Sequence, residues 1–393
     1  MNDTPLRIAL FTHSVNPRGG VVHTLELGRA LVAEGHDVTI FAPTEDHAPM
    51  FRPSPCRIVL ANVAARALDT ASMVQTRIDA LKSALQATLR AQARPGFDVL
   101  HAQDSISGNA LAELRAEGTI RGFVRTVHHL DAFRDPRLAQ WQHRAYADAD
   151  AVFCVSEVWT QTMKTRFGIE AVTVNNGVDV QRFRAARELD DVMLPAELGV
   201  HGDPVVLAVG GIEERKNTLQ LLEAFALLRK TRRNAQLVIA GGASLLDHDA
   251  YTRRFAARAA ELGLPIGLGE AIVVTGALDD DAIPALMRRA DAVAMVSLRE
   301  GFGLVVLEAL SSGVPVVVSQ IAPFTEYLNG RVCYWAQPHD AHSIAAALLQ
   351  AFDDRRGIDF TDAVSALLQR FSWRASALRH LALYRDCMQL APA

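Results

Sequence analysis

The sequence predicts an α/β protein with two doubly wound parallel sheets, and three observations lead to this fold class. The chain has 393 residues, which at roughly 150 residues per domain is room for two or three cores. Short apolar runs typical of strands alternate with amphipathic stretches of helix length along almost the whole sequence. Both halves also open on the same plan of strand, glycine-containing loop and helix. Two Rossmann-like lobes of similar size follow, and the cleft between them is the expected ligand site.

The predicted strands are short runs, and most of them are continuously apolar. Strands of a parallel sheet that is covered on both faces have this composition. In the first half they are Arg7–Thr12, Asp37–Phe41, Arg57–Leu60, Asp98–Ala102, Phe123–Val127 and Ala151–Val155. In the second half they are Pro204–Val209, Gln236–Ala240, Ile272–Thr275, Ala292–Val296 and Pro315–Ser319. The intervening helices, such as Val21–Glu34 and Leu219–Lys230, make right-handed βαβ units.

The boundary between the lobes is predicted in a polar stretch. Residues Glu188–Gly202 contain Pro and Gly and carry no strong pattern, so they are the expected linker. The first lobe then spans residues 1–190 and the second residues 203–370. The last helix, Trp373–Met388, either covers the second lobe or crosses back to the first. Its apolar stripe consists of Ala377, Leu378, Leu381, Tyr384 and Met388.

Composition restricts the class of protein and its compartment. Half of the residues are apolar and 21% are charged, which is typical of a soluble globular protein. The net charge is −4 without a long basic block, so nucleic acid is not expected as a partner. The four cysteines, Cys56, Cys154, Cys333 and Cys387, form no CxxC pair, which argues against disulfides and zinc sites.

A cytoplasmic location is expected from the apolar segments. The first apolar run, Ile8–Phe11, is too short for the core of a signal peptide. No segment approaches the roughly 18 apolar residues of a membrane-spanning helix. Peripheral contact with a membrane surface remains compatible with the sequence.

The strongest functional signal lies between a strand that ends at Ser297 and a helix that contains Glu308. Glu300 and the glycines that follow it form the loop between them, with backbone N–H groups that can bind an anion. If both acids were helical, they would lie about 12 Å apart, wider than the roughly 5–9.5 Å of paired glycosidase carboxylates. They are better suited to holding hydroxyls at two ends of one ligand. The alternative is a helix start with a solvated Glu on each side.

This segment, EGFGLVVLE, resembles the E-x7-E signature of retaining glycosyltransferases with the GT-B fold, particularly glycosyltransferase family 4. The resemblance extends to NNGVDVQRF at residues 175–183 and to the closing FSWRASALRHLALYR. It implies that Glu300 contacts the transferred sugar and that Glu308 binds the ribose of the nucleotide. It implies that backbone amides meet the donor phosphate or sugar at Gly301, Phe302, Gly303 and Leu304. It also implies that residues 371–393 return to the first lobe.

Lys216, in GGIEERKN, lies where family members carry a Lys that contacts the donor diphosphate. An ammonium near two phosphates supplies charge-assisted hydrogen bonds of about 1.5–3 kcal/mol each. The sequence departs from the family pattern, because Gly211 occupies the position of the usual Arg. Either Arg215 substitutes, which its place directly before Lys216 disfavours, or the donor is held less electrostatically. The alternative for Lys216 itself is an exposed residue at a helix start.

In the first lobe, the loop PRGG precedes a helix and matches the family's glycine-rich loop near the donor phosphates and the acceptor. The resemblance assigns this role to Gly19 and Gly20, and places His23 towards the acceptor. The segment TVH resembles the T-x-H element whose His approaches the reacting sugar. That residue is His128, with His129 as the alternative in a register shifted by one. A further alternative is that His128, at the end of an apolar strand, is a core histidine.

The resemblance implies a retaining hexosyltransferase that uses a nucleotide diphosphate sugar, with a UDP-sugar as the expected donor. The acceptor is a hydroxyl of a small molecule, a glycan or a lipid-linked molecule, held mainly by the first lobe. Retaining enzymes of this fold generally lack a placed carboxylate nucleophile, so front-face displacement is expected. The neutral imidazole of His128 or a nearby carbonyl would stabilise an oxocarbenium-like state, and the leaving diphosphate would help to deprotonate the acceptor.

No cofactor and no catalytic metal are expected. Asp148 and Asp150 match the DxD of metal-dependent glycosyltransferases, but they lie between a helix and a buried strand. Asp279–Asp281 most simply begin a helix. Glycine motifs of nicotinamide dehydrogenases and P-loop enzymes are missing, as is a nucleophile elbow. The alternatives are a GT-B sugar-nucleotide epimerase or phosphorylase, and a two-lobed sugar-binding protein without turnover.

Overall fold

A computed structural model describes residues 4–63, 69–91, 96–186, 190–242, 249–353 and 358–390. The chain divides into two compact units. The first unit comprises Met1–Gly177 together with Phe371–Ala393, and the second unit comprises Val178–Arg370. Each unit is built on one parallel sheet, so the predicted α/β fold class is confirmed.

The first unit holds a seven-stranded sheet within its described part, in the order β3-β2-β1-β4-β5-β6-β7. Its strands are β1 (Arg7–Phe11), β2 (Asp37–Thr44), β3 (Arg57–Asn62), β4 (Val99–Ala102), β5 (Val124–Val127), β6 (Ala151–Cys154) and β7 (Ala171–Thr173). Its helices include α1 (Gly19–Ala33), α2 (Thr70–Ala91), α3 (Ser105–Ala116), α4 (Pro136–Ala147) and α5 (Glu157–Phe167). The strand order reverses between β1 and β4, where open α/β sheets bind ligands at the carboxyl ends of their strands.

The second unit repeats the plan with six strands among its described residues, in the order β10-β9-β8-β11-β12-β13. They are β8 (Val205–Val209), β9 (Gln236–Ala240), β10 (Ile272–Gly276), β11 (Ala292–Met295), β12 (Val316–Ser319) and β13 (Tyr334–Ala336). The helices are α6 (Asp190–Glu197), α7 (Thr218–Leu228), α8 (Asp249–Glu261), α9 (Ala282–Arg289), α10 (Leu304–Ser311), α11 (Phe324–Tyr327), α12 (Ala341–Asp353) and α13 (Ile358–Arg370). Here the order reverses between β8 and β11.

The last helix, α14 (Trp373–Leu390), packs within the first unit. Ala377, Leu381 and Tyr384 are buried in the same core cluster as residues of β1 and α1. Gly177 makes this crossing close, because a Cβ there would collide with the backbone of Trp373. The glycine of the NNGVD segment is therefore needed where the chain leaves the first unit and later returns to it.

Two details of α14 differ from the predicted stripe. Leu378 and Met388 are 43% and 40% exposed. Successive helix residues are about 100° apart, so Leu378 lies off the face that Ala377, Leu381 and Tyr384 bury. The buried stripe of α14 is thus narrower than the predicted apolar stripe.

The predicted linker contains a helix and belongs to the second unit. Within Glu188–Gly202, α6 is fixed by the buried ion pair of Asp191 with Arg288 of α9, at 2.7 Å. The division between the units falls at Gly177, before the predicted boundary at residue 190. Arg182 accounts for the earlier boundary, because it lies after Gly177 and its guanidinium pairs with two acids of the second unit, Asp280 at 2.7 Å and Asp281 at 2.8 Å.

The predicted strands are all present with small shifts at their ends, but two strands were not predicted. β7 and β13 are edge strands of three residues each. Runs this short carry too little periodicity to be distinguished from a loop. In the described part of the chain, no helix is both long enough and apolar enough to cross a membrane.

Candidate active site

The second unit brings charged residues together at the carboxyl ends of β8 and β11. These neighbouring strands flank the point at which the strand order reverses. The chain leaves β8 through Gly210 and reaches Lys216 before α7, and it leaves β11 through Ser297 and reaches Glu300 before α10. The two segments that carry the predicted donor-binding residues therefore meet at one edge of the sheet.

The loop after β8 has a backbone that requires glycine. Gly210 and Gly211 have φ values of 125° and 75°, in the left-handed region. A Cβ on Gly211 would lie 2.9 Å from the carbonyl oxygen of Gly242. Residue 211 therefore cannot hold a larger side chain without moving the backbone, which gives a physical reason for the missing Arg.

The end of this loop is attached to the segment after β11. Asn217, at φ 61°, donates from Nδ2 to the carbonyl oxygen of Val296 at 3.0 Å and to that of Pro338 at 2.6 Å. The amide of Leu298 donates to the carbonyl oxygen of Arg215 at 2.9 Å. These bonds place Arg215 and its neighbour Lys216 beside Glu300.

One oxygen of Glu300 is the centre of the charged cluster. Lys216 Nζ lies 2.6 Å and the Arg215 guanidinium 3.1 Å from Oε1 of Glu300. Ser297 donates from Oγ to the same oxygen at 3.0 Å. Burial alone would raise the pKa of the Glu300 carboxyl, but Lys216, Arg215 and Ser297 lower that pKa to about 2. Glu300 is therefore an anion at neutral pH.

The glycine-rich turn before α10 is packed against an aromatic pair. Gly303 has φ 95°, and a Cβ on it would collide with the ring of Phe324. The Phe302 ring is buried and stacks on Tyr327 at 4.9 Å, while the Tyr327 hydroxyl donates to the Phe302 carbonyl oxygen at 2.8 Å. The side chain of Phe302 thus supports the turn, and a ligand can meet only its backbone.

The second acid of the motif is on a helix and the first is not. α10 begins at Leu304, so Glu300 precedes the helix and Glu308 is half-buried in its second turn. The condition that both acids are helical is not met, so the distance of about 12 Å along a continuous helix does not apply. Gly301 to Leu304 form the turn and the first helical residue between the two acids.

The first unit places a helix start beside a histidine ring at the corresponding sheet edge. α1 begins at Gly19, and a Cβ on Gly20 would lie 3.7 Å from Cδ2 of His128. Gly19 and Gly20 therefore form the first turn of a helix beside the His128 ring. The structure thus places these three predicted residues together.

His128 is oriented by an amide that the sequence interpretation missed. Nε2 of His128 lies 3.2 Å from Oε1 of Gln103, a buried residue after β4. Because an amide oxygen only accepts, His128 carries its proton on Nε2 and Nδ1 is the acceptor. Burial, reinforced by His23 and Arg125, lowers the pKa of His128 well below its usual value. The neighbouring His129 is 44% exposed and lies 3.4 Å from Asp131.

His23 is part of the protein interior. It is fully buried, with Nδ1 2.8 Å from Asn176 Oδ1, and its ring packs edge-on against His128 and Trp373. Burial and the nearby His380 lower the pKa of His23 to about 3. The expectation that His23 faces an acceptor is therefore wrong, because no part of its side chain reaches the surface.

The segment HAQD, residues 101–104, carries the signal for Gln103, since polar residues directly after a buried parallel strand lie at the ligand-binding edge. Ser297 follows β11 in the same way. The DxD-like pair has other contacts: Asp150 accepts from the amide of Phe123 at 2.8 Å and pairs with Arg115 at 2.8 Å. Among the described residues, no group of three or more His, Cys, Asp or Glu side chains is placed to hold a metal ion.

Two family sequence models match the chain and between them span most of it. The model described as Glycosyltransferase Family 4 matches residues 17–182, and the model described as Glycosyl transferases group 1 matches residues 194–364. The chain belongs to glycosyltransferase family 4. The resemblance inferred from the sequence motifs is thereby confirmed, and the reaction class of this family 4 protein is glycosyl transfer.

Curated relatives of this family 4 protein cover most of the chain. D-inositol 3-phosphate glycosyltransferase of Acidothermus cellulolyticus is 27% identical over 98% of this chain and 91% of its own length. Glycogen synthase of Mycobacterium tuberculosis is 28% identical over 84% of this chain and 82% of its own length. Both matches extend over the sequences of both units.

Solved structures are similar to the family 4 protein in fold. Sucrose-phosphate synthase from Thermosynechococcus elongatus superimposes with a TM-score of 0.77 and 23% identity, over 97% of this chain and 99% of that one. Anabaena HepE, solved in complex with UDP and glucose, gives a TM-score of 0.75 and 17% identity over 97% and 100% of the two chains. At these identities the likeness supports the GT-B fold alone, and the GT-B prediction is confirmed.

Proposed function

We propose that this glycosyltransferase is a retaining hexosyltransferase that moves a sugar from a nucleotide diphosphate to an acceptor hydroxyl, without a catalytic metal. The observation that carries the proposal is the contact of Lys216 with Glu300, at 2.6 Å, beside the start of α10. A cation suits a diphosphate, and an ionised carboxylate accepts hydrogen bonds from sugar hydroxyls. The two sets of groups that a sugar nucleotide requires thus lie side by side.

The second unit binds the donor in this proposal. Lys216 contacts the diphosphate, the backbone from Gly301 to Leu304 contacts phosphate or sugar, and Glu308 binds the ribose. Because Glu300 is ionised at neutral pH, it can only accept hydrogen bonds, so it orients sugar hydroxyls. A UDP-sugar is the first donor to test, because the structure of the similar protein HepE was solved with UDP and glucose.

The first unit contributes His128 and the turn at Gly19 and Gly20 in the same proposal. His128 is neutral, and its Nδ1 lone pair is the group that can stabilise partial positive charge on the sugar ring. The bond from the anomeric carbon to the diphosphate oxygen breaks, and the bond to the acceptor oxygen forms on the same face. The acceptor proton passes to the leaving diphosphate. No covalent sugar intermediate is involved.

Turnover distinguishes this proposal from a sugar-binding protein. Purified chain is incubated with UDP-, GDP- and ADP-sugars, with and without hydroxyl acceptors, and release of nucleoside diphosphate is measured together with product masses. Acceptor-dependent release with a product heavier by one hexose supports transfer. Binding without release contradicts it. The rate should be unchanged by EDTA, and a rate restored only by added Mn²⁺ or Mg²⁺ would contradict metal independence.

A further inference from the structure

In the second unit, two cations share one carboxylate oxygen. Lys216 and Arg215 approach Oε1 of Glu300 at 2.6 and 3.1 Å, and the Glu300 side chain is only 8% exposed. We propose that Arg215 and Lys216 together bind the donor diphosphate, and that the Glu300 carboxylate competes with the diphosphate for them. This inference rests on the proposed function, because it takes the ligand to be a nucleotide diphosphate.

Arg215 reaches this position although it directly precedes Lys216. The carbonyl oxygen of Arg215 accepts from Leu298, and the side chain of Asn217 is bound to Val296. Because the residues on both sides of Lys216 are hydrogen-bonded to the segment after β11, the two consecutive side chains converge on Glu300. The backbone at Gly211 has no room for a side chain, so the second cation of the site comes from Arg215.

Two carboxylates already contact these cations. Arg215 also lies 3.5 Å from the Glu213 carboxylate, which is 9% exposed. Two cations therefore face two carboxylates. A diphosphate brings at least two further negative charges, so it binds well only if a protein carboxylate gives up part of its contact with the cations.

The geometry indicates which of the two carboxylates loses its contact with the cations. Oε1 of Glu300 receives Lys216, Arg215 and the hydroxyl of Ser297, as a phosphate oxygen would. When the diphosphate takes the two cations, Glu300 becomes available to hydroxyls of the sugar. Binding of the diphosphate would then precede the contact between Glu300 and the sugar. Because it releases Glu300 from the cations, diphosphate binding would promote sugar binding.

Calorimetric titration with UDP, GDP and ADP tests this inference on the full chain. Arg215→Ala and Lys216→Ala should each weaken binding of the preferred diphosphate at least ten-fold, with a smaller effect on the corresponding monophosphate. Glu300→Gln should strengthen diphosphate binding several-fold, because it removes the competing charge and keeps the shape. Arg215→Lys should recover most of the lost affinity.

Arg299 provides the matched control. Its side chain is exposed and lies next to Glu300 in sequence, so Arg299→Gln removes the same charge nearby and should leave the affinity unchanged. Unfolding temperatures within a few degrees of the parent show that each variant is folded. If the parent binds a diphosphate but Arg215→Ala does not weaken it, or Glu300→Gln weakens it, the inference is wrong and the proposed function stands. If the parent binds none of the three, both are wrong.

Discussion

The two units share a parallel-sheet plan but carry different polar groups at the carboxyl ends of their central strands. In the first unit, the half-buried ring of His128, whose pKa lies well below its usual value, is hydrogen-bonded to the buried amide of Gln103. In the second, Lys216, Arg215 and Glu300 form a charged cluster. The same scaffold therefore presents different side-chain chemistry at equivalent strand ends. In the proposed function, the acceptor binds at the first unit and the diphosphate donor at the second.

Lowering the pH should change the stability of the two units differently, and this is the largest effect that we expect. Burial lowers the pKa of His23 to about 3 and that of His380 to about 4, from 6.5. The unfolded chain therefore binds protons that the folded first unit does not, so its stability falls as pH falls below about 6.5. Each histidine contributes about 1.4 kcal/mol per pH unit until its folded pKa is reached.

The second unit should respond at lower pH. The folded pKa of Glu300 is about 2 against an ordinary value of 4.5, so its contribution is lost only as pH falls from about 4.5 towards 2. Scanning calorimetry between pH 7 and 4 should show one transition moving down in temperature before the other. His380→Leu should make the first shift shallower. Two transitions that move together would contradict this contrast.

Removing the His128 ring should separate chemistry from donor binding. His128→Ala is expected to lower kcat by about 10²-fold or more, because a group that acts in the transition state is lost, whereas donor affinity should change little. His129→Ala is the matched control, since His129 is exposed and pairs with Asp131. Equal rates for His128→Ala and the parent would rule out a catalytic role for His128.

Replacing a glycine of the two turns by alanine should change stability in opposite directions in the two units. Gly303→Ala requires φ 95° and collides with Phe324, so it should destabilise the second unit by about 3 kcal/mol. Gly19→Ala meets no atom within 4 Å and should stabilise the first unit by about 0.5 kcal/mol. Urea unfolding measures both, and equal effects would show that the two glycine turns do not differ as described.

Replacing Glu308 should weaken binding of the nucleotide and not of the sugar. Glu308→Ala should weaken binding of nucleoside diphosphates about ten-fold, because ribose hydroxyls lose a charged acceptor. Glu261→Ala, on an exposed part of α8, serves as the control. Calorimetric affinities that are unchanged across the nucleotide panel would remove Glu308 from the ribose site.

Much of the architecture was predictable, because apolar runs fixed the central strands and the EGFG segment fixed the start of α10. The short edge strands and the contents of the predicted linker were not, since α6 depends on the tertiary ion pair of Asp191 with Arg288. Sequence alone also placed His23 towards a ligand. Its burial depends on Trp373 of α14, which lies far along the chain.

The sequence indicated which residues form the candidate site better than it indicated the contacts between them. The sequence motifs located Lys216 and Glu300, but their convergence with Arg215 depends on the hydrogen bonds from Leu298 and Asn217, which no local pattern encodes. The role of Gln103 was missed for a related reason. Its hydrogen bond to His128 joins the ends of two neighbouring strands, β4 and β5, that are separated by a helix in sequence.

The stereochemistry of transfer tests the central claim most directly. The chain is supplied with an α-linked nucleotide sugar and an acceptor, and the anomeric proton of the first product is followed by NMR before any slower rearrangement. Retention predicts an α-linked product that appears together with free nucleoside diphosphate. A β-linked first product, or consumption of the donor without a new glycosidic bond, would contradict the account.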